Sequence, residues 1–208
     1  MTSNIQNIQC LQERAILTPL NEKVKEINFT VQEKVPTAAR TYYSIDICLN
    51  DEEVTIYPVG FLNSLNPSCI PLHSVVLKVG CPIMLLRNLG PLKLCNGSRL
   101  IVKALYAHII EVTILTGSFE GENVLISRIP LIPTDLPFSF QRLQFPFRIA
   151  FAITINKARP SSYRLGFDCF SHGQLYLGMS RAKDTSTLFI VVDERKETKN
   201  IVYSQVLK

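Results

Sequence analysis

The stretch "SVVLKVGCPIMLLRNL" (residues 74–89) decides how the chain is organised. It holds two short runs of β-branched and aliphatic residues, broken at Gly80. Three more runs of the same texture follow: "SRLIVKAL" (98–105), "HIIEVTIL" (108–115) and "ENVLISRIPLI" (122–132). Turn residues separate them at Gly90-Pro91, Asn96-Gly97, and Gly117 with Gly121. Short strands at this spacing predict a small barrel or sandwich, and Asn-Gly is the strongest turn signal among them. Pro130, Pro133 and Pro137 close the segment.

The flanks have a different texture. "RAILTP" (14–19) reads as a buried strand stopped by Pro19. Asn21 is read as the N-cap of a helix in which Val24, Ile27 and Val31 recur at helical spacing. A strand running into a helix begins an α/β unit. "TYYSIDICL" (41–49) alternates at period two and reads as one strand. "NDEE" (50–53) reads as a solvated loop and "PVGFLNSL" (58–65) as one or two helical turns. Beyond the β-rich block, "FPFRIAFAITINK" (145–157) reads as a short strand leading into a helix. Ser171 is read as the N-cap of a helix through Arg181. "STLFIVVDE" (186–194) has the continuous apolar character of a covered parallel strand. The expected fold is α/β, interrupted by a small β-rich domain.

Charge is uneven along the 208 residues. Residues 1–127 carry 10 Lys/Arg and 11 Asp/Glu, a net of −1, whereas residues 128–208 carry 12 and 6, a net of +6. A basic half beside a near-neutral half points to nucleic acid or nucleotide phosphates. Residues 141–181 hold Arg142, Arg148, Lys157, Arg159, Arg164 and Arg181 against only Asp168, a cluster suited to a single-stranded backbone. The nearby Phe145, Phe147 and Phe151 are read as core rather than as base-stacking platforms. "MTSNIQNIQC" has neither a basic n-region nor an apolar h-region, so the protein is expected to be nuclear or cytoplasmic, not secreted. No uncharged apolar run approaches the ~18 residues of a membrane helix. Six scattered cysteines without a C-x-x-C pair, and three isolated histidines, predict reduced thiols and no metal site.

A P-loop needs Gly-Lys at its end, and no glycine here is followed by lysine. "LFIVVDE" (188–194) imitates a strand-borne Mg²⁺ pair, but without a P-loop it reads as a core strand ending in a charged turn.

Six stretches in order do resemble a family. They are "QERAILTPLNEKVKEIN", "YPVGFLNSL", "LKVGCPIMLLRNL", "LCNGSRLIVKAL", "RLQFPFRIAFAITINK" and "FSHGQLYLGMSRA". Together they resemble the C-terminal half of the petite-integration-frequency (PIF) helicases, superfamily-one 5′→3′ DNA helicases, with a texture closest to copies carried by Helitron-type transposons. The resemblance covers roughly residues 11–207. It implies that residues 11–57 and 134–193 form the second RecA-like helicase domain. Residues 58–133 would be an inserted small Src-homology-three-like barrel, and residues 1–10 and 194–208 would be tails. The first RecA-like domain, with the P-loop and the Mg²⁺ carboxylates, would precede residue 1.

The resemblance also implies roles. "YLGMSR" (176–181) fits the last helicase motif, Y-x-x-x-S-R, so Arg181 would be the arginine finger. A guanidinium there offsets charge developing on a γ-phosphate. Its simpler reading is a solvated charge at a helix C-terminus. Gln174, Tyr176 and Ser180 would support the ATP site. "FAITINKARPSS" (151–162) matches the coupling motif T-x-H/N-K-S-Q-G in part: Thr154, Asn156 and Lys157 match, while Arg159 and Pro160 stand in place of Gln-Gly. Proline fixes φ where the motif has glycine, so this loop is expected to be reshaped. Thr154, Asn156, Lys157 and Arg159 would contact single-stranded DNA. ATP and Mg²⁺ would serve the intact helicase, with neither held tightly by this chain alone. The alternative is a degenerate transposon-derived remnant with weak, sequence-blind affinity for single strands.

Overall fold

The computed structural model describes residues 14–50, 54–67, 70–90, 92–157, 162–165, 171–180, 188–190 and 201. They fall into two compact units, one from Met1–Pro36 with Ala150–Lys208, the other Thr37–Ile149.

The first unit is an α/β unit. Its strands β1 (Arg14–Thr18), β12 (Ala152–Thr154), β13 (Ser162–Leu165) and β14 (Leu188–Ile190) form a sheet in the order β12-β1-β13-β14. Every pairing in it is parallel. The helix α1 (Asn21–Glu33) follows β1 and packs on β12 and β1. Its cap position is Leu20 rather than Asn21, which is already helical. The Thr18 hydroxyl instead accepts from the Leu20 amide at 3.3 Å and shapes the strand-to-helix turn. Val31 and Asn28 are buried on this helix, and Ala15 and Leu17 are buried on β1.

The second unit is built from antiparallel pairings. Strands β2 (Ala39–Tyr43) and β4 (Ser74–Lys78) pair with each other. A five-stranded sheet runs β11-β5-β6-β7-β8, from β5 (Pro82–Leu85), β6 (Arg99–Leu105), β7 (Ile109–Ile114), β8 (Asn123–Ser127) and β11 (Phe147–Ile149). A third sheet runs β3-β10-β9, from β3 (Ile45–Cys48), β9 (Ile129–Leu131) and β10 (Phe140–Gln144). One core cluster gathers Tyr42, Val75, Leu77, Ile83, Leu85, Leu100, Val102, Ile110, Val112, Phe145 and Phe147 from the first two of these sheets and their ends. A smaller one joins Leu62, Ile70, Leu131, Phe138 and Phe140 around the short helix α2 (Val59–Ser64). Burial raises the Tyr42 phenol, with Arg40 and Arg128 pulling the other way, and its hydroxyl donates to the Tyr106 carbonyl at 2.7 Å. Burial also pushes the Cys81 thiol up to about 11.

Two local expectations change. "TYYSIDICL" is two strands that part at Ser44, one pairing with β4 and the other with β10. Period-two alternation is the same in both, so it does not reveal that the partner changes. Asn96-Gly97 is a turn, as read, and it closes the longer β5–β6 connection. Gly97 there has φ +84, and the Ser98 amide donates to the Cys95 carbonyl at 3.0 Å. "FPFRIAFAITINK" is not a strand and a helix. It is β11, antiparallel to β5, and then β12, parallel to β1, followed by one 3₁₀ turn at Ile155–Lys157. Strands β2, β3 and β10 all pair within the unit Thr37–Ile149.

Candidate functional site

In parallel α/β sheets, ligands gather outside the carboxyl ends of the strands. Here those ends bring Thr18 and Thr154 side by side, in register on β1 and β12. Thr18 is buried and Thr154 half-buried. The chain then turns through Ile155–Lys157. Ile153 and Ile155 are 3% and 1% exposed and anchor the segment, so Asn156, between anchor and turn end, is left exposed. Thr154, Asn156 and Lys157 are therefore brought together, on one strand end and the turn that leaves it. Arg159 lies outside the described residues.

The helix α3 (Gln174–Ser180) packs against that same turn. It opens three residues after Ser171, whose carbonyl accepts from the Gln174 amide at 3.3 Å. Gly173 precedes it at φ +68, a backbone region that glycine occupies without strain. Leu175 and Gly178 are buried, while Tyr176 is 76% exposed. Gln174 is half-buried. The Ser180 hydroxyl donates back to the Leu177 carbonyl at 2.9 Å. The structure thus brings Gln174, Tyr176 and Ser180 onto one helix beside the Thr154–Lys157 turn. Arg181 follows the last residue of α3 and lies outside the described residues.

One member of the basic run 141–181 is taken up inside the fold. Arg142 is 0% exposed. Its Nε donates to Asp46 Oδ1 and Oδ2 at 3.0 and 3.1 Å, and its Nη2 to Asp46 Oδ2 at 2.6 Å. The other donors go to the carbonyls of Leu62 (2.8 Å), Leu65 and Pro71 (both 3.1 Å). A guanidinium has five N–H groups, and all five are used inside the fold. Arg142 and Asp46 are directly opposed on β10 and β3, which is why the pair forms. Asp46 Oδ1 also accepts from the Ser44 hydroxyl at 2.6 Å. Arg148 sits on β11 in the antiparallel unit, whereas Lys157 and Arg164 belong to the parallel-sheet unit. Phe145, Phe147 and Phe151 are core, at most 2% exposed.

One residue near the site escaped the sequence reading. Asn28 of α1 is buried, and its amide binds both backbone groups of Ala152, where β12 begins. Its signal was present: a polar side chain four residues after Val24 and three before Val31, on the apolar stripe. Among the described residues, no group of three His, Cys, Asp or Glu is placed to hold a metal ion. No helix among them is long and apolar enough to cross a membrane.

Residues 60–105 match the 2B domain of the DNA helicase Pif1. Over 210 aligned residues the chain is 26% identical to the ATP-dependent DNA helicase Pif1 of Campylobacter jejuni, covering 93% of this chain and 45% of that protein. The chain thus spans about half the length of this curated relative. Its fold matches the crystal structure of Pif1 helicase from Candida albicans with a TM-score of 0.71 at 17% identity, over 100% of this chain and 53% of that one. It also matches Pif1 helicase from Bacteroides in complex with ADP-AlF3 and single-stranded DNA, with a TM-score of 0.63 at 19% identity, over 98% and 50% of the two chains. In sequence over nearly its whole length, and in a fold that has both a parallel sheet and a small antiparallel domain, this chain is similar to the C-terminal region of those helicases.

Proposed function

We propose that this chain serves as the second RecA-like domain and inserted β domain of an ATP-dependent 5′→3′ DNA helicase. In that reading Arg181 is the arginine finger, and Gln174, Tyr176 and Ser180 belong to the segment that delivers it. Thr154, Asn156, Lys157 and Arg159 form part of the track for single-stranded DNA. One observation supports it most. The Thr154–Lys157 turn lies at the carboxyl end of a parallel strand, and the helix packed on that turn is followed in sequence by Arg181.

The donor set suits the ligand. Hydroxyl, amide, ammonium and guanidinium groups all donate hydrogen bonds, and phosphate oxygens accept them. ATP with Mg²⁺ supplies the phosphoryl transfer when it is held by a P-loop domain outside this chain. The residues of this chain have two tasks. Arg181 brings a fixed positive charge toward the transferred phosphoryl group, and the Thr154–Lys157 turn holds the DNA backbone in place. Single-stranded DNA as partner fits a nuclear or cytoplasmic setting.

The test is a chimera in which this chain replaces the matching region of the Campylobacter helicase. DNA-stimulated ATP hydrolysis is expected, and Arg181→Ala should lower it about 10³-fold or more with DNA affinity retained. The unfused chain should bind single-stranded DNA at low salt and turn over no ATP. Turnover by the unfused chain, or no DNA binding at low salt, overturns the proposal. The Arg159-Pro160 departure from the coupling motif favours a second reading, a remnant that binds single strands weakly. A chimera that binds DNA but hydrolyses ATP no faster in its presence would select that one.

A further inference from the structure

We infer that Asn28 is a positioning residue for the DNA-facing turn Thr154–Lys157, an inference that rests on the reading of that turn given above. The observation is a two-point clamp. Asn28 Nδ2 donates to the Ala152 carbonyl at 3.0 Å, and Asn28 Oδ1 accepts from the Ala152 amide at 2.8 Å. Asn28 is 8% exposed and Ala152 0%.

The clamp sits where the sheet needs it. Strand β12 has three residues and lies at one end of the described sheet, paired only to β1 there. The Ile16 amide donates to the Phe151 carbonyl at 2.9 Å on the β1 side. The Asn28 side chain takes both main-chain groups of the next residue, as a further strand would. An edge strand of three residues has few ladder bonds to fix how far it reaches along its own axis. A carboxamide binding one N–H and one C=O fixes that coordinate.

Thr154 is two residues further on, about 7 Å along a rigid strand at the usual rise. The turn with Asn156 and Lys157 follows at once. A shift at Ala152 is therefore passed to the DNA-facing groups with little to absorb it. Val24, Ile27 and Val31 show that this face of α1 otherwise uses apolar residues. An apolar residue at position 28 would bury as well, but would let β12 slide. It would also leave the main-chain groups of Ala152 buried without partners, which costs more than losing an exposed bond.

The experiment uses the full 208-residue chain. Asn28→Leu has nearly the same shape and removes both bonds. Asn28→Asp keeps the acceptor for the Ala152 amide and removes the donor. Affinity for a thymidine oligonucleotide is measured well below each variant's melting temperature, beside amide exchange at Ala152 and Leu17. Asn28→Leu is expected to bind roughly tenfold more weakly, about the loss of one charge-assisted hydrogen bond. The Ala152 amide should exchange faster while Leu17 on β1 stays protected. A purely structural role would lower the melting temperature and leave the affinity of the folded protein unchanged. Unchanged affinity in a folded variant with an exchanging Ala152 amide overturns the inference and leaves the DNA-contact reading standing. No binding by the unsubstituted chain overturns that reading, and the inference with it. Should Asn28→Leu not fold, Asn28→Asp decides by the same readouts.

Discussion

The two units use polar side chains in opposite ways. In the antiparallel unit, Arg142 is sealed off and all of its donors end on Asp46 and three carbonyls. In the parallel-sheet unit, Thr154 and Asn156 stand at a strand end, Thr154 half-buried and Asn156 exposed. Both segments read as basic and polar in sequence. What separates them is the opposite strand: Arg142 faces a carboxylate across β3, whereas Thr154 faces Thr18 across β1. A charge that meets its counter-charge inside the sheet holds the fold and is lost to a ligand.

The comparison breaks most sharply at Asp46. Asp46→Ala leaves the Arg142 guanidinium buried without its partner. It should destabilise the chain by about 3–5 kcal/mol in urea denaturation. DNA affinity of the molecules that remain folded should be unchanged. An equal loss of DNA affinity would return Arg142 to the interface. Replacing both members by apolar residues of similar volume should restore only part of that stability: it avoids the uncompensated charge but leaves the Leu62, Leu65 and Pro71 carbonyls without their donor.

Lys157→Ala probes the other side. It should leave the urea midpoint nearly unchanged, weaken single-strand binding about tenfold, and reduce the salt slope by about one. A large stability loss with an unchanged slope would place Lys157 with Arg142.

The smallest effect concerns Cys81. Its thiol has a folded pKa of about 11, raised above the ordinary value by burial. The neutral form is thus favoured by folding. The associated stability is fully present below the unfolded pKa and is lost as pH rises through the folded one. Between about pH 9 and 11, urea midpoints should fall, and Cys81→Ala should flatten that decline. A decline of the same size in Cys81→Ala would assign it to other groups.

Much of the fold was legible, for local reasons. Gly80, Asn96-Gly97, Gly117 and Gly121 punctuate the β-rich runs, and the change from β1 to α1 is written in the spacing of Val24, Ile27 and Val31. The change of partner at Ser44, and the passage from β11 to β12, were not legible. Each is an apolar run whose pattern is the same whichever strand it joins. Of the candidate site, the sequence shows which residues to place but not what surrounds them. The resemblance pointed to Thr154, Asn156 and Lys157, and they do share a strand end. Arg142 misled because charge is visible in sequence and burial is not. Asn28 was visible as a polar residue on an apolar stripe, but its partner is 124 residues away.

That separation bears on the order in which the chain assembles. β1 and α1 come first among the described elements, yet the strands flanking β1 and the backbone that Asn28 binds all come from beyond Ala150. Closing so long a loop is entropically slow, whereas β5, β6, β7 and β8 pair with near neighbours. The antiparallel unit should therefore acquire amide protection first, with Ile110 and Val112 ahead of Leu17 in a pulse-labelling time course. Residues 14–33 would wait as an unpartnered strand and helix until the segment beyond Ala150 arrives.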